Sequence, residues 1–183
     1  MKAKKQENQI AVRSAKEVAR TAVFVAALIG AQYALSAVPF VEVVTLLFVC
    51  YAYVFGAWRG VVSAVVFALI RQLIFGFYPV VLILYLVHFS ALSVVFGLLG
   101  KGRRLHGWKL LLVAVALATV MTACFTLLDN LLTPLWYAYT PRAAKIYFNA
   151  SLPFLFGQSV CAAVSVGVLF FPIRNALLLV KKS

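Results

Sequence analysis

The sequence predicts an all-α integral membrane protein, a bundle of six transmembrane helices, and three observations carry that reading. Apolar stretches run unbroken for about 17–25 residues, the length that crosses a bilayer as helix, and they lack the period-2 alternation of barrel strands. Hydrophobic residues make up 65% and charged residues 11% of the chain, with a mean hydropathy of +1.04, more apolar surface than one soluble domain of 183 residues can hide. The basic residues gather at the ends of the apolar stretches rather than along one soluble face.

Taken in order, residues 1–17 form a basic segment ahead of the first stretch. The polar run as far as Arg20 is too long, and the apolar run after it too complete a span, for a cleavable signal peptide. Segment one is expected over 18–38. Segment two, over 40–56, is short and follows a break at Pro39. Segment three covers 61–77 and ends at Gly76-Phe77-Tyr78-Pro79, and segment four covers 80–99. Segment five covers 108–132. A polar, aromatic connection is expected over 133–151, and segment six over 152–180, where Pro172 should kink or end the membrane part. The bundle thus fills 18–180 of a single membrane domain spanning 1–183, with no internal repeat.

The net charge of +13 invites a nucleic-acid reading, but no soluble basic face exists to carry it. The Lys and Arg residues instead set orientation. With the N-terminus cytoplasmic, fourteen lie inside: Lys2, Lys4, Lys5, Arg13, Lys16, Arg20, Arg59, Lys101, Arg103, Arg104, Lys109, Arg174, Lys181 and Lys182. Three lie outside: Arg71, Arg142 and Lys145. The opposite topology inverts this bias, and an even number of spans puts the C-terminus in the cytoplasm as well.

Fixed orientation gives depth. Glu42 falls near the outer end of segment two. Arg71 and Gln72 fall roughly 9 Å below the outer end of segment three, and Tyr85 and His88 about 9 and 14 Å down segment four on one face. Asp129 and Asn130 fall at the outer end of segment five, and Gln158 about 9 Å into segment six. The ionisable groups within the spans therefore lie in the outer half or near the midplane, above an inner half dominated by Val, Leu, Ala and Phe. A charge at the centre of a lipid-exposed helix costs ~2.5–3.5 kcal/mol, so such groups face protein or a wet cavity. The pattern predicts a polar cavity open to the outside above an apolar plug. A channel would need polar lining throughout. The structural alternative is that Glu42 pairs with Arg71, and Asp129 with Arg142 or Lys145, to tie helices together. The aromatic connection, with Trp136 and Arg142, reads either as an interfacial belt or as a lid that stacks on a planar ligand and meets an anionic group.

Segment one carries small residues at i, i+4 spacing, Ala22, Ala26, Gly30 and Ala34, with Ala27 and Ala31 alongside. Such a stripe lets another helix approach closely, either within the bundle or on a partner membrane protein. No catalytic constellation, cofactor motif or Walker A sequence is present. Cys50, Cys124 and Cys161 lie within apolar stretches without metal-ligand spacing and read as small buried hydrophobes.

The run from the basic N-terminal helix into Ala22–Ala34, then Pro39-Phe40-Val41-Glu42-Val43-Val44-Thr45-Leu46-Leu47, Phe55-Gly56-Ala57-Trp58-Arg59-Gly60 and Phe75-Gly76-Phe77-Tyr78, resembles the substrate-binding S components of energy-coupling factor (ECF) vitamin transporters, over roughly residues 16–180. The resemblance implies a six-helix bundle in a bacterial cell membrane that captures a vitamin-like micronutrient. It further implies docking on a transmembrane scaffold subunit driven by two cytoplasmic ATPases, through a face of the first helix that maps to Ala22, Ala26, Ala27 and Ala31. The residues expected to meet substrate come from the depth reading: Glu42, Arg71, Gln72, Tyr85, His88, Asp129, Asn130, Trp136, Arg142 and Gln158. A polar, partly planar solute of either charge suits them. The competing expectation is a non-transport membrane scaffold of similar fold, of the cell-shape morphogenesis type, which binds a partner but no ligand.

Overall fold

The computed structural model describes residues 2–38, 41, 43–102 and 105–182, with side chains from Ala15 onward. Pro39, Phe40, Glu42, Arg103 and Arg104 lie outside the described residues. The described residues form six helices and no strand: α1 (Lys2–Leu35), α2 (Val44–Phe55), α3 (Ala57–Phe75), α4 (Pro79–Gly102), α5 (Gly107–Trp136) and α6 (Pro141–Lys182).

Five of these, all but α2, are long and apolar enough to cross a membrane, an all-helical arrangement compatible with a helical membrane bundle. Their outer surfaces are apolar: Leu73 is 85% exposed, and Leu179 and Val23 are each 70% exposed. Large residues of this kind spread over every long helix suit a lipid solvent, since monomeric soluble proteins avoid broad apolar patches.

Successive helices alternate in direction, so one end of the bundle carries both chain termini. At that end Glu17 of α1 pairs with Arg59 of α3, and Lys181 of α6 donates to the Val54 carbonyl of α2. At the opposite end Gln32 of α1 meets Tyr85 of α4.

The short second element is the core of the fold. At 12 residues α2 is only ~18 Å long, well under the ~30 Å of bilayer hydrocarbon. Ten of its residues are buried, because it packs on α4, α6, α3, α5 and α1. Its Phe48 stacks on Phe89 with ring centroids 4.6 Å apart and meets Phe67 edge-on at 5.7 Å. Phe24 of α1 stacks flat on Tyr51 at 3.8 Å. These aromatics form a closed layer across the middle of the bundle, each under a tenth exposed.

Close approach at the end carrying the termini depends on glycine. Gly56 joins α2 to α3 at φ 95°, a conformation that favours glycine. A Cβ on Gly97 would lie 2.2 Å from the Ala57 backbone nitrogen, so α4 packs backbone to backbone against this joint.

The basic stretch ahead of the first apolar run is helical from Lys2 and continues into it as α1. The structure departs from the expected segments in one place. The expected connection over 133–151 is largely helical. α5 continues through Pro134 to Trp136, residues 137–140 turn, and α6 starts at Pro141. Local chemistry explains the early start: Thr140 Oγ1 accepts the Ala143 N–H at 3.3 Å as a helix cap, and proline suits the first helical position because its missing N–H is not needed there. α6 continues as helix through Pro172 to Lys182.

Candidate functional site

A cavity of about 290 Å³ opens between the helices at the end opposite the termini. Its polar wall is built from Gln32 and Ser36 near the end of α1, Arg71 in the last turns of α3, Tyr85 in the second turn of α4 and Gln158 of α6. Phe75, Phe89, Phe125 and Phe154 supply the aromatic wall. Below Phe89 the cavity meets the buried, packed rings of Phe48 and Phe67, which form its floor.

The polar groups are held in a fixed arrangement. The Arg71 guanidinium sits 4.3 Å from the Tyr85 ring centroid and 5.3 Å from that of Phe75, a cation held between two aromatic faces. Gln32 Nε2 donates to the Tyr85 hydroxyl at 3.1 Å. Thr126 Oγ1 donates to Gln158 Oε1 at 3.4 Å. Two shielded atoms in this wall, Arg71 Nε and Gln32 Oε1, make no hydrogen bond among the described residues. Among the residues with described side chains, no carboxylate pairs with Arg71. A shielded cation and an unmet acceptor are costly unless something binds them.

A second hollow, about 310 Å³, shares Phe125, Phe154 and Gln158 with the first. In its wall the Asp129 carboxylate accepts from the Tyr147 hydroxyl at 2.6 Å and from Thr133 Oγ1 at 2.7 Å. The two adjoining hollows therefore offer a cation in one and a hydrogen-bonded carboxylate in the other, with the aromatic rings Phe125 and Phe154 shared between them.

Of the residues picked out by sequence, Arg71, Tyr85 and Gln158 meet in the cavity and Asp129 lies in the adjoining hollow. The others stand elsewhere. Gln72 is buried, and its Oε1 accepts the Tyr78 N–H at 2.8 Å, which fixes the α3–α4 turn around Gly76. His88 is buried one turn deeper than Tyr85, edge-on to Phe89 and Phe125, and is absent from the cavity wall. Asn130 Nδ2 donates to Ser151 Oγ at 2.7 Å and ties α5 to α6. Trp136 and Arg142 are exposed at the α5–α6 turn and line neither hollow. Glu42 lies outside the described residues.

Sequence reading missed Gln32, Thr126 and Tyr147. Gln32 had a signal: Phe24, Val25 and Leu28 form the buried stripe of α1, and Gln32 continues it at i+4 as its one polar member. Of the small residues on α1, Ala22, Ala26, Ala27, Gly30 and Ala34 are exposed, whereas Ala31 is half-buried and lines the cavity. Among the described residues no group of His, Cys, Asp and Glu is placed to hold a metal ion.

The fold is an all-helical arrangement compatible with a membrane bundle, with the cavity described above at the end opposite the termini. Comparison with family models, curated proteins and solved structures gave no match.

Proposed function

We propose that this chain is the substrate-capturing subunit of a multi-subunit importer, of the ECF S-component type. On this reading it binds a small, partly planar micronutrient from outside and hands it across only when docked on a membrane scaffold powered by two ATPases. The observation that supports the reading is the cavity at the end opposite the termini, where Arg71 Nε and Gln32 Oε1 are shielded and make no hydrogen bond among the described residues. Such a hollow can capture but cannot conduct, so transport needs a partner.

Three supports belong to the reading. The excess of Lys and Arg at the end carrying the termini supports a cytoplasmic position for that end, with the cavity mouth outside. α2 serves as the sixth span, its shortness tolerated because its neighbours rather than lipid surround it. The exposed small residues Ala22, Ala26 and Ala27 leave one face of α1 open to a scaffold helix.

The direct test is a thermal-shift screen of the purified chain against a vitamin panel, because a tight ligand raises apparent stability by mass action. One compound should stabilise the wild type strongly and Arg71→Gln weakly. A panel without any stabilising compound would leave the scaffold alternative standing. Sidedness is read separately. A cysteine placed at Ser36, in a background lacking Cys50, Cys124 and Cys161, should react with an impermeant maleimide added outside intact cells. Reaction only after lysis would reverse the proposed orientation.

A further inference from the structure

A different hollow, about 330 Å³, lies at the end carrying the termini, between α2, α4, α5 and α6. Arg174 and Lys181 of α6 line it with His106, and none of its lining residues is acidic. Lys181 is partly accounted for, since it donates to the Val54 carbonyl and so meets the carboxyl end of α2, where a cation is favourable. Arg174 is not. Its guanidinium rests 5.4 Å from the Tyr53 ring centroid and 5.8 Å from that of Phe171. Its Nε is shielded and makes no hydrogen bond among the described residues. The first turn of α5 forms another wall, and its flanking His106 gives no side-chain cap, so that end of the helix also favours an anion.

The height of the pocket is marked by tryptophan. Trp108, beside the lining residue Gly107, is 67% exposed, and Trp58 at the start of α3 is 78% exposed. Exposed indoles at the ends of apolar helices sit at the headgroup level of a bilayer. A hollow that holds cations without acids, opens at that level and leaves an arginine N–H unmet matches a phosphate group.

The geometry points to a phosphate-binding site formed by Arg174 and Lys181, filled at this height by the headgroup of an anionic phospholipid. Arginine meets phosphate with parallel N–H donors and lysine with a point charge. Basic pockets between membrane helices hold such headgroups. The site lies at the far end of the bundle from the substrate cavity and stands whether or not the proposed transport role does.

The test uses the full chain in detergent. Thermal unfolding is followed with added phosphatidylglycerol, phosphatidylcholine or inorganic phosphate, and native mass spectrometry counts retained lipids. Stabilisation by phosphatidylglycerol alone identifies the headgroup as the source. Stabilisation by inorganic phosphate as well identifies a site for the free anion. In either case Arg174→Gln and Lys181→Gln should each weaken the effect on the order of fivefold, while Lys109→Gln, at an exposed position outside the pocket, should not. Arg174 also packs on two rings and Lys181 ties α6 to α2, so each variant's lipid-induced shift is read from its own lipid-free baseline. The proposal is overturned if neither phosphate form stabilises the wild type, or if both pocket variants respond as the wild type does.

Discussion

Tyr85 holds Arg71 by its face and Gln32 by its hydroxyl. The guanidinium carbon lies 4.3 Å from the ring centroid, and the hydroxyl accepts from Gln32 Nε2 at 3.1 Å. Helices α1, α3 and α4 are thereby joined at the cavity wall through one side chain. The cation is oriented by a ring, and no described carboxylate pairs with it.

Replacing that charge should therefore act on binding more than on folding. Arg71→Gln is expected to lower affinity for the stabilising compound by ~1.5–3 kcal/mol, the usual worth of a hydrogen bond to a charged group. Arg71→Lys, which keeps the charge but loses the planar stack, should fall between. Isothermal titration of the three proteins reads this order. Equal affinities would remove Arg71 from the site.

The Gln32–Tyr85 contact predicts a measurable coupling. Tyr85→Phe keeps a ring for Arg71 and deletes the acceptor; Gln32→Leu deletes the donor. Each should destabilise the bundle by about 1 kcal/mol, and the double variant by less than the sum, since both remove the same bond. Thermal unfolding of the four proteins gives the cycle, and strict additivity would show the two side chains to be independent.

The helical class and the bundle are legible in the sequence because continuous apolar runs report directly on a lipid-like solvent. The cavity is legible only in part. Arg71, Tyr85 and Gln158 stand out as polar groups inside apolar runs, and so do Gln72, His88 and Asn130, which turn out to brace a turn, pack among rings and tie two helices. Polarity at depth does not say which way a side chain faces; that is fixed by which helices become neighbours. The α5–α6 connection failed for a local reason. Its tyrosines and prolines suggested a loop, whereas Thr140 followed by Pro141 forms a helix start of a kind readable from residue types alone.

Thr140 gives the next expectation. Loss of its cap in Thr140→Ala should cost ~1 kcal/mol, confined to the first turn of α6. Amide exchange over 142–145 should quicken while exchange in α2 stays unchanged. Unaltered exchange in that turn would mean that the capping bond contributes nothing there.

Two glycines should respond with opposite signs. At Gly97 a methyl group would meet the Ala57 nitrogen at 2.2 Å, forcing α4 away from the α2–α3 joint, so Gly97→Ala should lower stability by ~1–3 kcal/mol. At Gly30 a Cβ meets nothing within 4 Å. There Gly30→Ala should raise stability by ~0.5–1 kcal/mol through helix propensity alone. Thermal unfolding in one detergent compares the pair; no loss of stability in Gly97→Ala would contradict the close approach there, and a loss in Gly30→Ala would contradict the open space at Gly30.

The α1 alanines separate assembly from capture. Ala27 is exposed on the small-residue face, while Ala31 is half-buried and lines the cavity. A bulky side chain at Ala27 therefore meets only what approaches α1 from outside the bundle, whereas one at Ala31 also intrudes on the bound solute. Ala27→Trp should abolish co-purification with a scaffold and its ATPases yet keep the ligand-induced rise in stability. Ala31→Trp should reduce both. Assembly left intact by Ala27→Trp would remove that face of α1 as the docking surface without touching the cavity. Normal ligand binding by Ala31→Trp would move the solute away from α1, toward the Asp129 side of the adjoining hollows.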